Sequence, residues 1–472
     1  MTAAKRFSIT YHKFYKVVTV FDPETTLAPG VNYEQYILYL CGAQVPTAAD
    51  LETAKTAGLE AVKAEIPSYA GSLTQKTFEI PISAAAATET VSLSFMTTAF
   101  NGREGVKYFS DYVVDACFQQ ALTRFEEKGE CTHEGLSPMY NPYATTDEDK
   151  ALAKSQVDKA EVVFGSSFDN ADAKSVAFFA TADPGNLNRA EWSKMIAAFF
   201  NHEDEADEHF DSISTEYRMH EAAAAAAVPA ASRKKVAWVV DETWSSSFKV
   251  ELDAYKTETI TDAAGVAPTK ADLPQATSTG ADAAYSYEVA ATASDADRAA
   301  AKKSAAAKLF ADLRAWGAAA VLDETYAVDP TAYDLAAFRE TFCVSVASSC
   351  AMDAGADRTF AEGLKVLRTD RTISGRSLSL DWFESAIAHP NRVIQDLMLY
   401  TAPTAVAPGY QSAYLRDVSA GQAINVVEAG QCTAELEQCK PEEPAVAVTP
   451  SAAAAPALSA ALLAAGLLAA LF

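Results

Sequence analysis

Short apolar runs alternate with helix-like segments through the first part of the chain. The runs are rich in branched and aromatic residues and end in small-residue loops, as in YKVVTVF, QYILYLCG, KTFEIPIS and AEVVFGSS. Between them, residues 50–66 and 104–129 space their apolar positions as helices do. Such alternation predicts the α/β class, built from layers around a largely parallel sheet.

A longer apolar stripe follows within residues 188–228. Its members recur at steps of three and four, with Glu203 as a polar break and a heavily charged opposite face: Trp192, Ile196, Phe199, Ala206, Phe210, Ile213 and Tyr217. The stripe predicts one unbroken helix about 60 Å long, capped by Asn188 with Glu191 and stopped by Pro229. A coiled-coil arm is the alternative, but no partner segment exists, so we interpret the helix as a strut between two lobes.

The strand and helix alternation resumes after this stripe. We therefore predict two Rossmann-like α/β lobes joined by one long backbone helix. The predicted divisions are an N-terminal lobe over 1–187, the interlobe helix over 188–228, a C-terminal lobe over 229–427, a spacer over 428–450 and a hydrophobic end over 451–472.

A short repeat occurs twice in the second lobe. Val239–Trp244 reads VVDETW and Val321–Tyr326 reads VLDETY, each placing Asp-Glu-Thr-aromatic after an apolar strand. Ligands of parallel sheets bind outside the carboxyl ends of the strands, so the repeat predicts a ligand edge with Trp244 and Tyr326 as flat faces. The alternative is that Asp and Thr cap helices and the aromatic residues cover the sheet.

Charge and motif content exclude several classes of function. The net charge is −25, from 63 acidic and 38 basic residues, and such a balance repels nucleic acid. The chain has no P-loop, GxGxxG or GxSxG motif. Three of the six histidines lie on the predicted long helix among acids, so we predict no metal site. Paired carboxylates leave a glycosidase-like enzyme as an alternative, through Asp241, Glu242, Asp323 and Glu324.

The cysteines and the C-terminal segment bear on location. Cys343 and Cys350 share the spacing of Cys432 and Cys439; local disulfides in an oxidising compartment and buried thiols are both open interpretations. Cys41 ends an apolar run and is expected to be a buried thiol.

Residues 457–472 are uncharged and apolar, which predicts a GPI signal or a single membrane anchor, a frayed alanine-rich end being the alternative. We expect a membrane-anchored protein on the outer cell surface. The first residues are strand-like and not like a signal peptide, so either the signal peptide is missing from this sequence or the interpretation of the C-terminal end is wrong, and we favour the former.

Five segments between residues 7 and 417 together resemble a known family. They are FEIPIS leading into TETVSLSFMTTAFNGREGV, RAEWSKMIAAFFNHEDEADEHFDSISTEY, KKVAWVVDETW, VLDETYAVDPTAYD and DWFESAIAHPNRVIQDL. In this order they resemble the class III periplasmic substrate-binding proteins, the vitamin B12 and iron-siderophore binders of bacterial ABC importers. The resemblance implies two lobes on a rigid helix, a ligand in the cleft between them, and binding without catalysis. Within the family the chain looks most like algal cell-surface members that acquire cobalamin.

The resemblance implies a small-molecule partner, cobalamin or alternatively a ferric siderophore, and delivery to an unidentified transporter or receptor. A corrinoid is large with apolar faces, which suits stacking on Trp or Tyr. The predicted ligand-binding residues are Trp244, Glu324, Tyr326, Trp382 and Glu384 in the second lobe and Thr88, Thr90 and Phe95 in the first. For Trp382 the alternative is core packing at a helix start capped by Asp381. A siderophore is less favoured because no arginine cluster lies near the predicted edge.

Overall fold

The computed structural model describes residues 2–21, 31–65, 72–100, 102–128, 146–166, 171–242, 247–278, 284–289 and 295–433. Within these ranges, strands β1 to β8 and strands β9 to β17 never share a sheet. We call the parts that carry them the N-terminal unit and the C-terminal unit.

The N-terminal unit contains two four-stranded sheets. Its strands are β1 (Phe7–Tyr11), β2 (Tyr15–Phe21), β3 (Val31–Leu40), β4 (Ser72–Ile80), β5 (Ala85–Ala87), β6 (Val106–Phe109), β7 (Val162–Gly165) and β8 (Ser175–Ala177). The first sheet, β1-β2-β3-β4, is antiparallel except for its β3–β4 pair. The second, β6-β5-β7-β8, is parallel throughout. Its helices are α1 (Ala48–Glu65), α2 (Thr90–Ala99), α3 (Ala116–Lys128) and α4 (Asp147–Lys159).

One predicted helix of this unit is wrong in its first half. Residues 104–129 were expected to be helical, but Val106–Phe109 is strand β6 and only α3 is helical. The strand forms because its backbone pairs with β5 in a parallel ladder, a non-local contact. The helix begins later because Asp115 Oδ1 accepts the N–H groups of Cys117 and Phe118 at 2.8 and 3.0 Å.

A seven-stranded mixed sheet forms the C-terminal unit, in the order β11-β12-β10-β9-β13-β14-β16. The strands are β9 (Val236–Glu242), β10 (Ser247–Glu251), β11 (Thr277–Ser278), β12 (Ala284–Glu288), β13 (Ala320–Asp323), β14 (Lys365–Arg368) and β16 (Arg416–Asp417), with β15 (Thr372–Ser374) and β17 (Asn425–Val427) as a separate parallel pair. Only β9, β13 and β14 run parallel in the large sheet. The α/β class is confirmed. The expected parallel sheet is the four-stranded sheet β6-β5-β7-β8 of the N-terminal unit, whereas in the C-terminal unit the described parallel pairs of the large sheet are those of its central strands.

Helices cover both faces of these central strands. They are α8 (Ala254–Asp262), α9 (Asp295–Trp316), α10 (Leu335–Thr341), α11 (Ala356–Gly363) and α12 (Pro390–Thr401). Val239 and Val321 lie in the core on one face, whereas Trp238 and Leu322 lie in the core on the other. Side chains of a strand alternate between faces, so a strand covered on both sides is apolar throughout. This explains the continuous apolar runs before the two DET repeats.

The unbroken helix predicted over residues 188–228 is three helices in the structure. They are α5 (Asn186–Ala190), α6 (Trp192–Phe200) and α7 (Glu203–Ala227). Asn201 interrupts the path with φ 59°, and its N–H bonds to the carbonyl of Ala197. The expected cap is also wrong, because the Glu191 carboxylate accepts backbone N–H groups at residues 2–4 of the N-terminal segment.

The predicted apolar stripe is nevertheless buried at every position. All of α6 lies inside the N-terminal unit, while Ala206 of α7 joins that unit's core and Tyr217 joins a core of the C-terminal unit. With 25 residues, α7 is about 37 Å long. A bridging helix is therefore present, but it is α7 alone and is shorter than expected.

Only one of the two local cysteine pairs forms a disulfide. Cys343 and Cys350 are bonded to each other, whereas Cys432 is bonded to Cys117, 315 residues away. Cys439 lies outside the described residues. Cys41 is an exposed free thiol, contrary to the buried one expected, because the chain turns outward after β3.

Candidate ligand-binding site

The two DET repeats meet at one edge of the large sheet, as the sequence predicts. Strands β9 and β13 are parallel, with Asp323 opposite Val239. The N–H of Asp241 donates to Thr325 Oγ1 at 2.9 Å, which joins the first repeat directly to the second. The carboxyl ends of neighbouring parallel strands therefore form one continuous edge, which we call the C-terminal rim.

Buried charges fix the loop that follows β13 at this rim. Arg368 bonds to Asp323, to Asp370 Oδ2 at 2.8 Å and to the carbonyl of Thr325 at 2.9 Å. Arg416 bonds to both carboxylate oxygens of Asp370, at 2.7 and 2.8 Å. Burial lowers the pKa of Arg368, but Asp323 and Asp370 together raise it above its ordinary value. Sequence reasoning missed this arginine pair because the two residues are 48 positions apart.

Two apolar side chains stand exposed on the loop held by this network. Tyr326 is 37% exposed and Val328 is 58% exposed. Partial burial raises the pKa of Tyr326, so its hydroxyl stays protonated at neutral pH. Tyr326 therefore stays a predicted ligand contact, with a ring that is partly exposed. Trp244, its predicted counterpart, lies outside the described residues.

Trp382 and Glu324 lie together, but inside the C-terminal unit. The indole N–H of Trp382 donates to Glu324 Oε1 at 2.8 Å, and that of Trp238 donates to Oε2 at 2.6 Å. Lys256 Nζ lies 2.7 Å from the same Oε2. Trp382 is only 9% exposed. Both residues were predicted to bind ligand, and the structure corrects this, because their polar groups are already bonded to each other and the indole ring is in the core.

Glu384 also does not have the ligand-binding role predicted for it. It is 3% exposed, and its two carboxylate oxygens accept the N–H groups of Val114 and Asp115 at 2.7 and 2.9 Å. Burial raises its pKa well above the ordinary value, and nearby Asp381 raises it further. The carboxylate predicted to bind corrin amides instead binds backbone amides of the N-terminal unit, just before α3.

In the N-terminal unit, the predicted residues divide between the rim and the core. Thr88 and Thr90 are half-buried at the carboxyl end of β5, and the Thr88 hydroxyl donates to the carbonyl of Phe164 at 3.1 Å. Phe95 is fully buried and packs edge-on against Phe178 with 5.2 Å between ring centroids. The prediction for Phe95 is therefore wrong, because α2 turns this side chain into the core.

Glu89, between the two threonines, was missed. Its Oε1 accepts the N–H of Ser166 at 3.1 Å, which joins the ends of β5 and β7. Burial raises the pKa of Glu89, against the effect of the bonds from Ser166. The only signal in the sequence was its position in TET after a strand. Together with Thr88 and Thr90 it forms a polar edge that we call the N-terminal rim.

The carboxylates that a glycosidase would need are all engaged in ion pairs or hydrogen bonds. Asp241 pairs with Lys302 at 2.7 Å and Glu242 with Lys249 at 2.6 Å. Asp323 pairs with Arg368, and Glu324 holds the two indoles. A general acid and base must reach a substrate and carry pKa values suited to proton transfer. These four side chains are instead committed to internal contacts.

The part of the chain that the structure describes contains neither a metal-binding cluster nor a membrane-spanning helix. There, no group of three His, Cys, Asp or Glu side chains is arranged to hold a metal ion. Within the same residues, no helix has both the length and the apolar character to cross a membrane. The predicted C-terminal anchor, residues 451–472, lies outside the described residues.

Comparison with known proteins gives structural matches alone. No family model and no curated protein matches the chain. It is similar to a periplasmic heme-binding protein from Pseudomonas aeruginosa, at 12% identity over 71% of this chain and 98% of that one, with a TM-score of 0.42. It is also similar to an ABC transporter substrate-binding protein from Listeria monocytogenes, at 12% identity over 68% and 99% of the two chains, with a TM-score of 0.40. A third match is an Fe3+-hydroxamate transport protein from Saccharomonospora viridis, at 13% identity over 67% and 91%, with a TM-score of 0.38. At these values the likeness carries no argument about the ligand.

Proposed function

We propose that this protein is a substrate-binding protein that takes a large metal chelate, with cobalamin as the specific candidate and a ferric siderophore as the alternative. The observation that carries the proposal is the exposed pair Tyr326 and Val328 on a loop fixed by buried ion pairs. The family resemblance of the sequence supplies the class of ligand.

Exposed apolar groups on a rigid rim are suited to a preformed binding surface. The loop after β13 cannot easily fold Tyr326 away, because Arg368 holds both Asp323 and the Thr325 carbonyl beside it. An aromatic face on a fixed support binds a flat apolar ligand without first losing much side-chain entropy. The face of a corrin or another macrocycle has this shape, whereas a bare cation does not.

Polar groups at the N-terminal rim complement this surface. Thr88, Glu89 and Thr90 lie together at the carboxyl end of β5, where hydroxyl and carboxylate oxygens suit the amide side chains of a corrinoid. In this proposal the ligand lies between the two rims, stacked on Tyr326. The α7 bridge and the contacts of Glu384 keep the units in fixed register during binding.

Equilibrium dialysis with cyanocobalamin, hemin and ferrichrome tests the proposal on the purified chain. We expect saturable binding of cyanocobalamin at micromolar concentration, weakened about tenfold by Tyr326→Ala through loss of the stacking face. Tyr11→Ala is the matched control, because Tyr11 is also an exposed tyrosine, 61% exposed, but lies on β1 away from either rim.

Each result bears on a different part of the proposal. Preference for ferrichrome would replace cobalamin by the siderophore alternative, and preference for hemin would replace it by another macrocycle. Absence of saturable binding by all three would refute the substrate-binding function. Equal weakening by Tyr326→Ala and Tyr11→Ala would refute the site while leaving the function standing.

We also propose that the protein acts at the outer cell surface, attached to the membrane through residues 451–472, and passes its ligand to a transporter or receptor. The disulfides Cys117–Cys432 and Cys343–Cys350 support an oxidising compartment, because such bonds are kept reduced in the cytosol. Release from intact cells by a phospholipase specific for GPI anchors would support a GPI anchor. Retention after that treatment, with removal by detergent, would support a membrane span.

A further inference from the structure

The Cys343–Cys350 and Cys117–Cys432 disulfides differ in their exposure to solvent. Cys343 and Cys350 are 0% and 5% exposed, and both belong to the hydrophobic core of the C-terminal unit. In the other bond, Cys117 is 5% exposed but Cys432 is only half-buried. Thiol–disulfide exchange requires a thiolate to reach a sulfur atom, and exposed disulfides are the labile ones. The Cys117–Cys432 bond is therefore the more accessible of the two.

Cys432 ends a segment that crosses from one unit to the other. We call residues 425–432 the strap. It begins as strand β17, which pairs with β15 of the C-terminal unit, and continues through a 3-10 turn to the cysteine. The Val427 carbonyl accepts the N–H of Gly375 at 2.8 Å and Gln119 Nε2 at 3.0 Å, so the strap contacts both units. The disulfide then bonds the end of the strap to α3 of the N-terminal unit.

Noncovalent contacts hold the end of the strap weakly. Each of its residues is exposed or half-buried, and Val426 is 36% exposed. Packing against α3 therefore removes little apolar surface from water, and the hydrophobic stabilisation of this contact is small. One side-chain hydrogen bond, such as that from Gln119 to Val427, adds a modest net stabilisation. The disulfide is thus the strongest link between the strap and α3.

We propose that Cys432 is a thiol–disulfide exchange site and that the Cys117–Cys432 bond is a reducible clasp on the strap. A thiolate of a dithiol attacks Cys432 Sγ, the S–S bond breaks, and its electron pair leaves on Cys117 Sγ, which takes up a proton from water. The second thiol of the reagent then displaces Cys432, so the protein disulfide gains two electrons and two protons and the dithiol is oxidised. The freed strap leaves α3, while the Cys343–Cys350 bond stays intact.

Opening of the clasp changes how the two units are coupled. The strap is one of the contacts that hold α3 to the C-terminal unit, and Glu384 remains as another through the N–H groups of Val114 and Asp115. Each unit has its own hydrophobic core, so reduction should loosen the units without unfolding either. The clasp uses no residue of the two rims and does not depend on the proposed chelate site.

Reduction of the folded full chain by dithiothreitol, followed by alkylation with N-ethylmaleimide and peptide mass spectrometry, tests which bond opens. We expect Cys117 and Cys432 to be labelled about tenfold faster than Cys343 and Cys350, because the buried pair must wait for local unfolding. Cys41 is an exposed free thiol, so it should be labelled without reductant and is the control for alkylation. Equal or faster labelling of Cys343 and Cys350 overturns the proposal.

A small monothiol, cysteamine, tests which sulfur is attacked. Early quenching with N-ethylmaleimide should find cysteamine bonded to Cys432 and the maleimide on Cys117, because Cys117 is the more buried of the two. Cysteamine bonded to Cys117 instead would overturn the exchange site at Cys432.

Cleavage by a glutamate-specific protease tests whether the strap is released. Proteases cut segments that leave the fold, so cleavage after Glu428 in the strap should be about tenfold faster once the clasp is reduced. Glu340 is the matched control, because it precedes the loop closed by the other disulfide and its carbonyl accepts the N–H of Cys343 at 3.1 Å. The double variant Cys117→Ser with Cys432→Ser should show the fast cleavage without reductant.

The proposal is overturned if reduction leaves cleavage after Glu428 unchanged. It is also overturned if cleavage after Glu340 accelerates equally, since that result would mean general unfolding, or if the double variant is cut as slowly as the oxidised unmodified protein. None of these measurements uses a chelate, so the dialysis experiment tests the proposed function independently.

Discussion

Asp381 shows how burial changes the chemistry of a single side chain. It begins the short 3-10 turn Asp381–Phe383, and its Oδ1 accepts the Ser385 hydroxyl at 2.6 Å. Burial raises its pKa from 3.8 to about 6, opposed by Ser385 and Arg392 and supported by the negative charge of Asp115. Asp381 is not the cap that the core-packing interpretation of Trp382 expected, because it lies inside the turn and the N-cap position is Leu380.

We predict that Asp381→Asn changes how stability depends on pH. The folded-state pKa of Asp381 is raised, so the stability it contributes is fully present below 3.8 and is lost as the pH rises to about 6. The amide that replaces the carboxyl group does not titrate. Between pH 3.8 and about 6, the melting temperature of the unmodified protein should therefore fall relative to that of Asp381→Asn. Above this range the difference between the two melting temperatures should stay constant.

Asp50→Asn is a control for which the pH dependence of stability should change in the opposite direction. The Thr47 hydroxyl and N–H bonds lower the pKa of Asp50, so its contribution is lost as the pH falls rather than as it rises. A constant difference between the unmodified protein and Asp381→Asn from pH 3.8 to about 6 would contradict the raised pKa of Asp381.

At the residue scale, the sequence showed which side chains carry polar or aromatic groups. It did not show which other residues those groups contact. Tyr326 was placed at a rim from the repeat alone, because its position after a strand is local information. Trp382, Glu324 and Glu384 carry the groups a ligand site needs, yet each bonds to residues at least 58 positions away. Whether a polar side chain faces a ligand or the protein is decided by those distant partners.

At the scale of elements, the break between α6 and α7 is the main departure from the sequence pattern. The apolar stripe continues through the break, so periodicity alone cannot reveal it. Asn201 adopts a left-handed conformation with φ 59°, and its Oδ1 accepts Lys16 Nζ at 3.0 Å. This contact with β2, together with an ion pair between Lys16 and Glu203, ties the junction to the first sheet.

We predict that Asn201→Ala is less stable than Asn201→Gly by about 1 kcal/mol in urea unfolding. The left-handed conformation disfavours a Cβ, and this outweighs the greater freedom of glycine in the unfolded chain. Both variants lose the bond to Lys16, so their difference isolates the backbone effect. Equal stability, or a more stable alanine variant, would mean that α6 and α7 form one continuous helix.

At the scale of the whole molecule, the start of α3 fastens the two units together. Cys117 is bonded to Cys432, Gln119 Nε2 donates to the carbonyl of Val427 at 3.0 Å, and Glu384 accepts N–H groups just before the helix. The α7 bridge also links the units, and Ala388 of the C-terminal unit packs into the core of the N-terminal unit. We expect ligand binding to involve small shifts of the rims rather than wide opening of the units.

We predict that Cys117→Ser with Cys432→Ser destabilises the protein more than Cys343→Ser with Cys350→Ser. The two disulfides span sequence separations of 315 and 7. Loop-closure entropy then makes the first loss larger by about 3 kcal/mol, as measured by chemical unfolding of both double variants.

Cys41→Ser is the control for removal of a cysteine, because Cys41 is exposed and forms no disulfide, and it should unfold as the unmodified protein does. Similar losses in the two double variants would show that the long-range disulfide does not constrain the unfolded chain as expected.

The sequence by itself determined the α/β class, the existence of a bridging helix, the burial of its apolar stripe, and the meeting of the two DET repeats at one edge. These follow from periodicity and from the geometry of parallel strands, which act over a few residues. Only the tertiary structure decided the break at Asn201, the partner of Cys432 and the internal roles of Trp382, Glu324 and Glu384. Those depend on which distant groups packing brings into contact, and a local pattern carries no information about such partners.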